Sequence, residues 1–147
     1  MGWSDRQWYV TEPTSDGILV KMVDAPPAAQ AIYDLFAASL DPLGDGRARG
    51  HNQYVSRWRH KSGAVLVSEN GQPNVWMTKE SADRIGILTI LSGAKMFLPG
   101  DENPGFHSNV AATPGLNGEV VVKFRADNSA DAQELASKIL YQLEIAS

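Results

Sequence analysis

Three strand-like segments follow one another between residues 53 and 78, and no other feature constrains the fold as much. They read QYVSRWRHK (53–61), AVLVSE (Ala64–Glu69) and NVWMT (Asn74–Thr78). Each is rich in β-branched and aromatic residues. Ser62-Gly63 separates the first two, and Asn70-Gly71, a strong tight-turn signal, follows the second. Apolar runs this short between turn dipeptides predict three antiparallel strands of one sheet.

The rest of the chain must fit around that sheet. Trp8–Glu12 and Gly17–Val23 read as a hairpin closed over the turn-forming run PTSD. Asp24 is placed to cap a following helix, with Pro26 in its first turn. Ala28, Ile32, Leu35, Phe36 and Leu40 recur at helical spacing, and Asp41-Pro42 with Gly44 and Gly46 end the pattern. The stretch 78–91 predicts a second helix, with Thr78 as cap, Glu80 and Asp83 in its first turns, and Gly93 past its end. Its apolar half, Ile85–Leu91, reads as buried on every side, and a strand is the alternative there. Glu119–Ala126 predicts a strand. A last helix follows, capped by Asn128 or Ser129, with an apolar stripe of Ala132, Leu135, Ala136, Ile139, Leu140 and Leu143 and a Glu134–Lys138 pair.

Between them, residues 98–118 (LPGDENPGFHSNVAATPGLNG) show no periodicity and hold three prolines and four glycines. An unstructured stretch of that length inside a domain is uncommon, and predicts a functional or disordered loop. The order ββα-βββα-loop-βα thus predicts a single α+β domain over residues 1–147. Its sheet is a single layer of about six strands, antiparallel or mixed, with three helices packed on it.

At 147 residues, 43% hydrophobic and 20% charged, the chain has the makeup of one globular domain. It contains no cysteine, which excludes disulfides, thiol nucleophiles and cysteine-based zinc sites. MGWSDRQWYV lacks the pattern of a signal peptide, and Arg6 stands where a myristoylation motif needs Ser or Thr. IGILTIL, the longest apolar run, is too short to span a bilayer. The expectation is a soluble, cytoplasmic protein that needs no membrane.

Charge is distributed unevenly. The chain carries a net charge of −4, yet residues 47–61 (RARGHNQYVSRWRHK) contribute five basic residues and no acid, so the remainder sums to −9. An acidic remainder argues against a protein that coats nucleic acid over much of its surface. Alternate residues of a strand face opposite sides. Tyr54, Ser56, Trp58 and His60 therefore share one side, with Tyr54 and Trp58 expected on the core. Val55, Arg57, Arg59 and Lys61 share the other, where Arg57, Arg59 and Lys61 should project together. Such a row is either a solvated face paired with acidic neighbours or an anion-binding face. Guanidinium forks suit the second role, because they grip phosphate or carboxylate in two places. On that reading Arg47, Arg49, His51, Arg57, Arg59 and Lys61 form the binding set, and Phe106 and His107 add contacts from the long loop.

Motifs for chemistry are incomplete. GDGRARG has Arg49 where a dinucleotide loop needs its third glycine, and it follows a helix. DPLGDGRARGHN has Leu43 and Asn52 where a calcium loop needs acidic ligands. No G-x-S-x-G, H-E-x-x-H, kinase or lactamase signature occurs. His51 and His60 have opposite strand parity, which separates them; His107 reaches His51 only if the loop folds over the sheet. Trp8, Trp58 and Trp76 read as core, while Trp3 and Phe106 are candidate partner anchors.

The leading reading is a non-catalytic binding or assembly module without cofactor or metal. It contacts an anionic partner, acidic protein or nucleic acid, through the basic strand face and the long loop. The alternatives are a small phosphoester-processing hydrolase using His and Arg residues, and an oligomeric structural subunit such as a phage or mobile-element assembly protein.

Overall fold

The computed structural model describes residues 7–14, 17–24, 26–43, 54–100 and 105–146, the first two stretches as backbone alone. The hairpin is present, formed by β1 (Gln7–Thr14) and β2 (Gly17–Asp24), paired from Gln7–Asp24 to Thr14–Gly17. It is a two-stranded sheet of its own, not part of the main sheet as its sequence position suggested.

Helix α1 (Pro27–Ser39) begins after Pro26, whose carbonyl accepts from the Gln30 N–H at 2.9 Å. Asp24 does not cap it, because it closes the β2 ladder opposite Gln7. Pro27 at the first helical position has no N–H to satisfy and a φ already suited to the helix. Leu40 turns extended, and Asp41–Pro42 forms the two-residue strand β3 beside Arg59 and Trp58.

The expected three-strand core of the sheet forms from β4 (Val55–Arg59), β5 (Val65–Glu69) and β6 (Asn74–Thr78), antiparallel throughout. Thr78 caps α2 (Lys79–Ile85), its hydroxyl accepting from the Ser81 N–H at 3.0 Å. Gly86, at φ +73°, ends that helix before residue 91, and Ile87–Thr89 continues as a 3-10 turn. Then follow β7 (Lys95–Phe97), α3 (Ser108–Ala111), β8 (Val121–Arg125) and α4 (Ser129–Ile145), the last capped by the Asn128 side chain on the Asp131 N–H. The main sheet is open and antiparallel, in the order β3-β4-β5-β6-β8-β7. The α+β class and six strands are as expected. Two of the six differ, because β3 and β7 stand in place of the two hairpin strands. Four helices replace three, because α3 lies inside the expected loop.

One face of the sheet carries α1, α2 and α4. Ile32, Tyr33 and Phe36 of α1 and Leu135, Ala136, Ile139 and Leu143 of α4 meet Trp58, Leu66, Val75, Met77, Val122 and Phe124. Trp58 sits edge-on to Tyr33 and Phe36, with ring centroids at 5.2 and 6.2 Å, and its Nε1–H donates to Ser68 Oγ at 3.0 Å. A buried indole needs such a partner, since an unmet donor costs about 1–3 kcal/mol.

The opposite face is also closed. Val55, Val67, Trp76, Phe97 and Val121 pack there against Val110 and Leu116, with Val65 and Phe106 at the margin. Residues 105–118, expected as a structureless loop, are therefore an ordered cover built from α3 and successive turns. Fully burying a Val or Leu side chain stabilises by roughly 1.5–3 kcal/mol, and Val110 and Leu116 each supply one such plug. Gly115, at φ +94°, lets the cover approach β5 closely: a Cβ there would lie 3.2 Å from Val65 Cγ2.

Candidate functional site

Strand parity holds along β4, but its meaning changes because both faces are covered. Trp58 faces the helices as expected, whereas Tyr54, just before the strand, is 52% exposed. Val55 and Arg57 point towards the cover, and both are buried. Arg57 is thus no solvated cation; at 8% exposure it holds the cover down. Its Nε donates to Thr113 Oγ1 at 2.9 Å and its Nη2 to the Asn109 carbonyl at 3.1 Å. Thr113 in turn donates to the same carbonyl at 2.9 Å. Burial holds the Arg57 guanidinium below its usual pKa.

The row expected to project together is therefore divided. Arg59 is exposed at the end of β4, opposite Asp41 of β3. Lys61 lies beyond the strand, in the turn, and pairs with Glu144 of α4 at 3.0 Å. His60, 3% exposed, joins the same carboxylate: its Nε2 lies 3.4 Å from Glu144 Oε1, while its Nδ1 accepts from the Ser62 N–H at 3.1 Å. Hydrogen bonds from Lys61 and then His60 hold the Glu144 carboxyl below its ordinary pKa. Arg47, Arg49 and His51, and also Trp3, lie outside the described residues.

The loop residues turn inward. Phe106 stacks on Trp76, centroids 5.9 Å apart and planes 16° apart, and lies 5.2 Å from Phe97. His107 caps α3, its Nδ1 accepting from the Asn109 N–H at 3.1 Å. His60 and His107 serve opposite sides of the sheet and share no site. Among the described residues no group of three or more His, Asp or Glu side chains is placed to hold a metal ion. No described helix is long and apolar enough to cross a membrane.

A second basic group, not singled out by the sequence, lies on the covered side at the β8–β7 end. The ladder places Arg57, Val67, Trp76, Lys123 and Lys95 in one row across five strands. Arg125 stands two residues beyond Lys123 on the same face. Lys95 and Arg125 are exposed, and Lys123 is half-buried. Lys123 Nζ lies 5.4 Å from the Trp76 ring centroid and 5.6 Å from that of Phe97. The Lys123 ammonium is held below its usual pKa chiefly by desolvation, with Lys95 and Arg125 adding repulsion and Glu69 acting in the other direction. Glu69 itself is turned into the sheet, where one oxygen accepts from Asn74 Nδ2 at 2.8 Å and Trp76 Nε1 at 2.7 Å. Asn74 Oδ1 is buried without a hydrogen-bond partner.

Lys95, Lys123 and Arg125 escaped the sequence reading because they are dispersed over 31 positions and meet only through strand pairing. The alternating VVKFR of β8 was the one available signal.

These features define a class only: an α+β domain with an open six-stranded antiparallel sheet, helices on one face and a tethered cover on the other. No family model, no curated protein and no solved structure matches the chain.

Proposed function

We propose that this chain is a non-catalytic binding module for an anionic partner, and that Lys95, Lys123 and Arg125 are its contact surface. The observation that carries the reading is their clustering. Three cations share one corner of one sheet face, and Lys95 and Arg125 both disfavour the charging of Lys123. Glu69, the acid that favours the charged form of Lys123, is engaged with Asn74 and Trp76. An incoming anion would relieve that repulsion. Carboxylates and phosphates both suit one guanidinium beside two ammonium groups.

An acidic protein segment fits better than nucleic acid. The cluster is compact: neighbouring strands lie about 4.8 Å apart and alternate residues about 6.8 Å apart. Beyond it the chain is net acidic, which repels a long polyanion while tolerating a short one. Arg59 lies at the other end of the sheet, three strands from β8, and does not extend the cluster.

The test is fluorescence anisotropy with a labelled acidic peptide and a labelled single-stranded oligonucleotide, at low and at physiological salt. The peptide should bind at low salt and weaken as salt screens the charges. Lys95→Glu with Arg125→Glu, both at exposed positions, should lower its affinity at least tenfold. Tighter binding of the oligonucleotide would assign the surface to nucleic acid. Unchanged peptide affinity in the double variant would refute the surface altogether.

A further inference from the structure

Resting on that reading, we propose how the partner is held: the outer edge of β7 takes an extended acidic segment as an additional strand of the sheet. Among the described residues β7 is the last strand in the order, and β8 is its one neighbour. Among the described residues, Lys95, Met96 and Phe97 make no backbone hydrogen bond beyond that pairing. A row of N–H and C=O groups with no strand beside it is a template for strand addition.

The two ends of the sheet are not equivalent. At the other end β3 is two residues long and consists of Asp41 and Pro42. Proline offers no donor, and the aspartate repels an acidic strand, so that edge is closed to one. At β7 the side chains favour such a strand. Lys95 lies on the face shared with Lys123 and Arg125. Met96, 54% exposed, and Leu98, 57% exposed, present apolar surface on the alternate positions. A segment that alternates acidic and apolar residues would set its carboxylates against the cations and its apolar side chains against Met96 and Leu98. Gly93, at φ +79°, precedes the edge and Pro99 follows it, so the available template is residues 94–98.

A second copy of this chain is the competing occupant. Pairing β7 with another β7 would bring two Lys95–Lys123–Arg125 clusters to one seam, and like charges at close range oppose it. Lysine on an edge strand is a known guard against self-pairing, and it leaves the edge open to the opposite charge.

The experiment uses the full chain and a blocked heptapeptide of alternating Glu and Val. Two further versions carry N-methyl groups on alternate backbone amides, one set on each edge of the peptide strand. Titration calorimetry measures all three. Strand addition requires one methylated version to lose at least tenfold in affinity while its complement stays within about twofold, a difference of about 1.4 kcal/mol per factor of ten. Equal affinities for the two would overturn strand addition and leave the cationic surface standing. Undiminished binding of the unmodified peptide to Lys95→Glu/Arg125→Glu would instead overturn the underlying reading, and this proposal with it. Sedimentation velocity closes the remaining route: a dimer that the peptide dissociates would assign the edge to a second copy and overturn the proposal.

Discussion

Arg57 gives the sharpest test of how the cover is held. Thr113→Val keeps the side-chain shape but removes the hydroxyl that accepts from Arg57 Nε and donates to the Asn109 carbonyl. It leaves a buried guanidinium with one acceptor fewer. A hydrogen bond to a charged group is worth about 1.5–3 kcal/mol, and stranding a charged donor costs at the upper end of that range. We expect Thr113→Val to cost about 2–3 kcal/mol. Arg57→Met removes the charge together with its demand for partners. Thr113 then keeps its bond to Asn109, no donor is stranded, and the desolvation of the guanidinium disappears. Its cost should be near 1 kcal/mol, the net worth of an ordinary hydrogen bond. Once Arg57 is Met, adding Thr113→Val should cost less than it does in the wild type, because the two residues are coupled. The measurement is urea unfolding of the wild type, both single variants and the double variant, compared at equal m-value. If Thr113→Val costs less than about 0.5 kcal/mol, the usual size of a surface effect, then Arg57 is an ordinary solvated cation and the tether does not exist.

Two further outcomes follow from the same geometry. Gly115→Ala forces a side chain into the left-handed region and towards Val65, and should cost at least about 1–2 kcal/mol by urea unfolding, whereas Gly63→Ala, with no neighbour near its Cβ, should show the backbone cost alone. The lowered pKa of Lys123 means that the unfolded chain binds its proton more tightly, so stability relative to Lys123→Gln should rise with pH between the folded and the ordinary lysine values and level off above them; a difference that falls over that alkaline window would contradict the burial and repulsion assigned to the group.

Much of the architecture is legible in local signals. The Thr78 and Asn128 caps and the stripe of α4 act within a few residues, and each recurs in the structure, whereas Asn70-Gly71 belongs to a four-residue connection over residues 70–73 instead of a tight two-residue turn. What local reading misses depends on distant segments. Arg57 reads as exposed because its parity opposes Trp58, and alternation says which side a residue takes but not whether that side is wet. The runs AVLV (64–67), leading into β5, and VVV (120–122), leading into β8, are apolar at consecutive positions, the mark of a sheet buried on both faces, and they were the available warning that something covers the second side. The long stretch hides its cover because its apolar anchors, Phe106, Val110 and Leu116, are only three and lie four and six residues apart, too sparse to establish a helical or strand repeat. The cationic cluster was illegible for a related reason: β7 reads as three unremarkable residues until it pairs with β8.

That pairing has a consequence for how the domain can change. Phe97 and Val121, at the two ends of the cover segment, are direct partners across β7 and β8. Their Cα atoms are therefore about 5 Å apart. The whole cover is topologically an oversized hairpin connection, entering and leaving at one point. Its length can vary without re-routing any strand, since closing a longer loop costs little more than closing a short one. What any replacement must reproduce is chemical: a plug for the apolar patch around Trp76 and an acceptor for the guanidinium of Arg57. Any such replacement would enter and leave beside the proposed binding edge and would keep the strand order of the sheet unchanged.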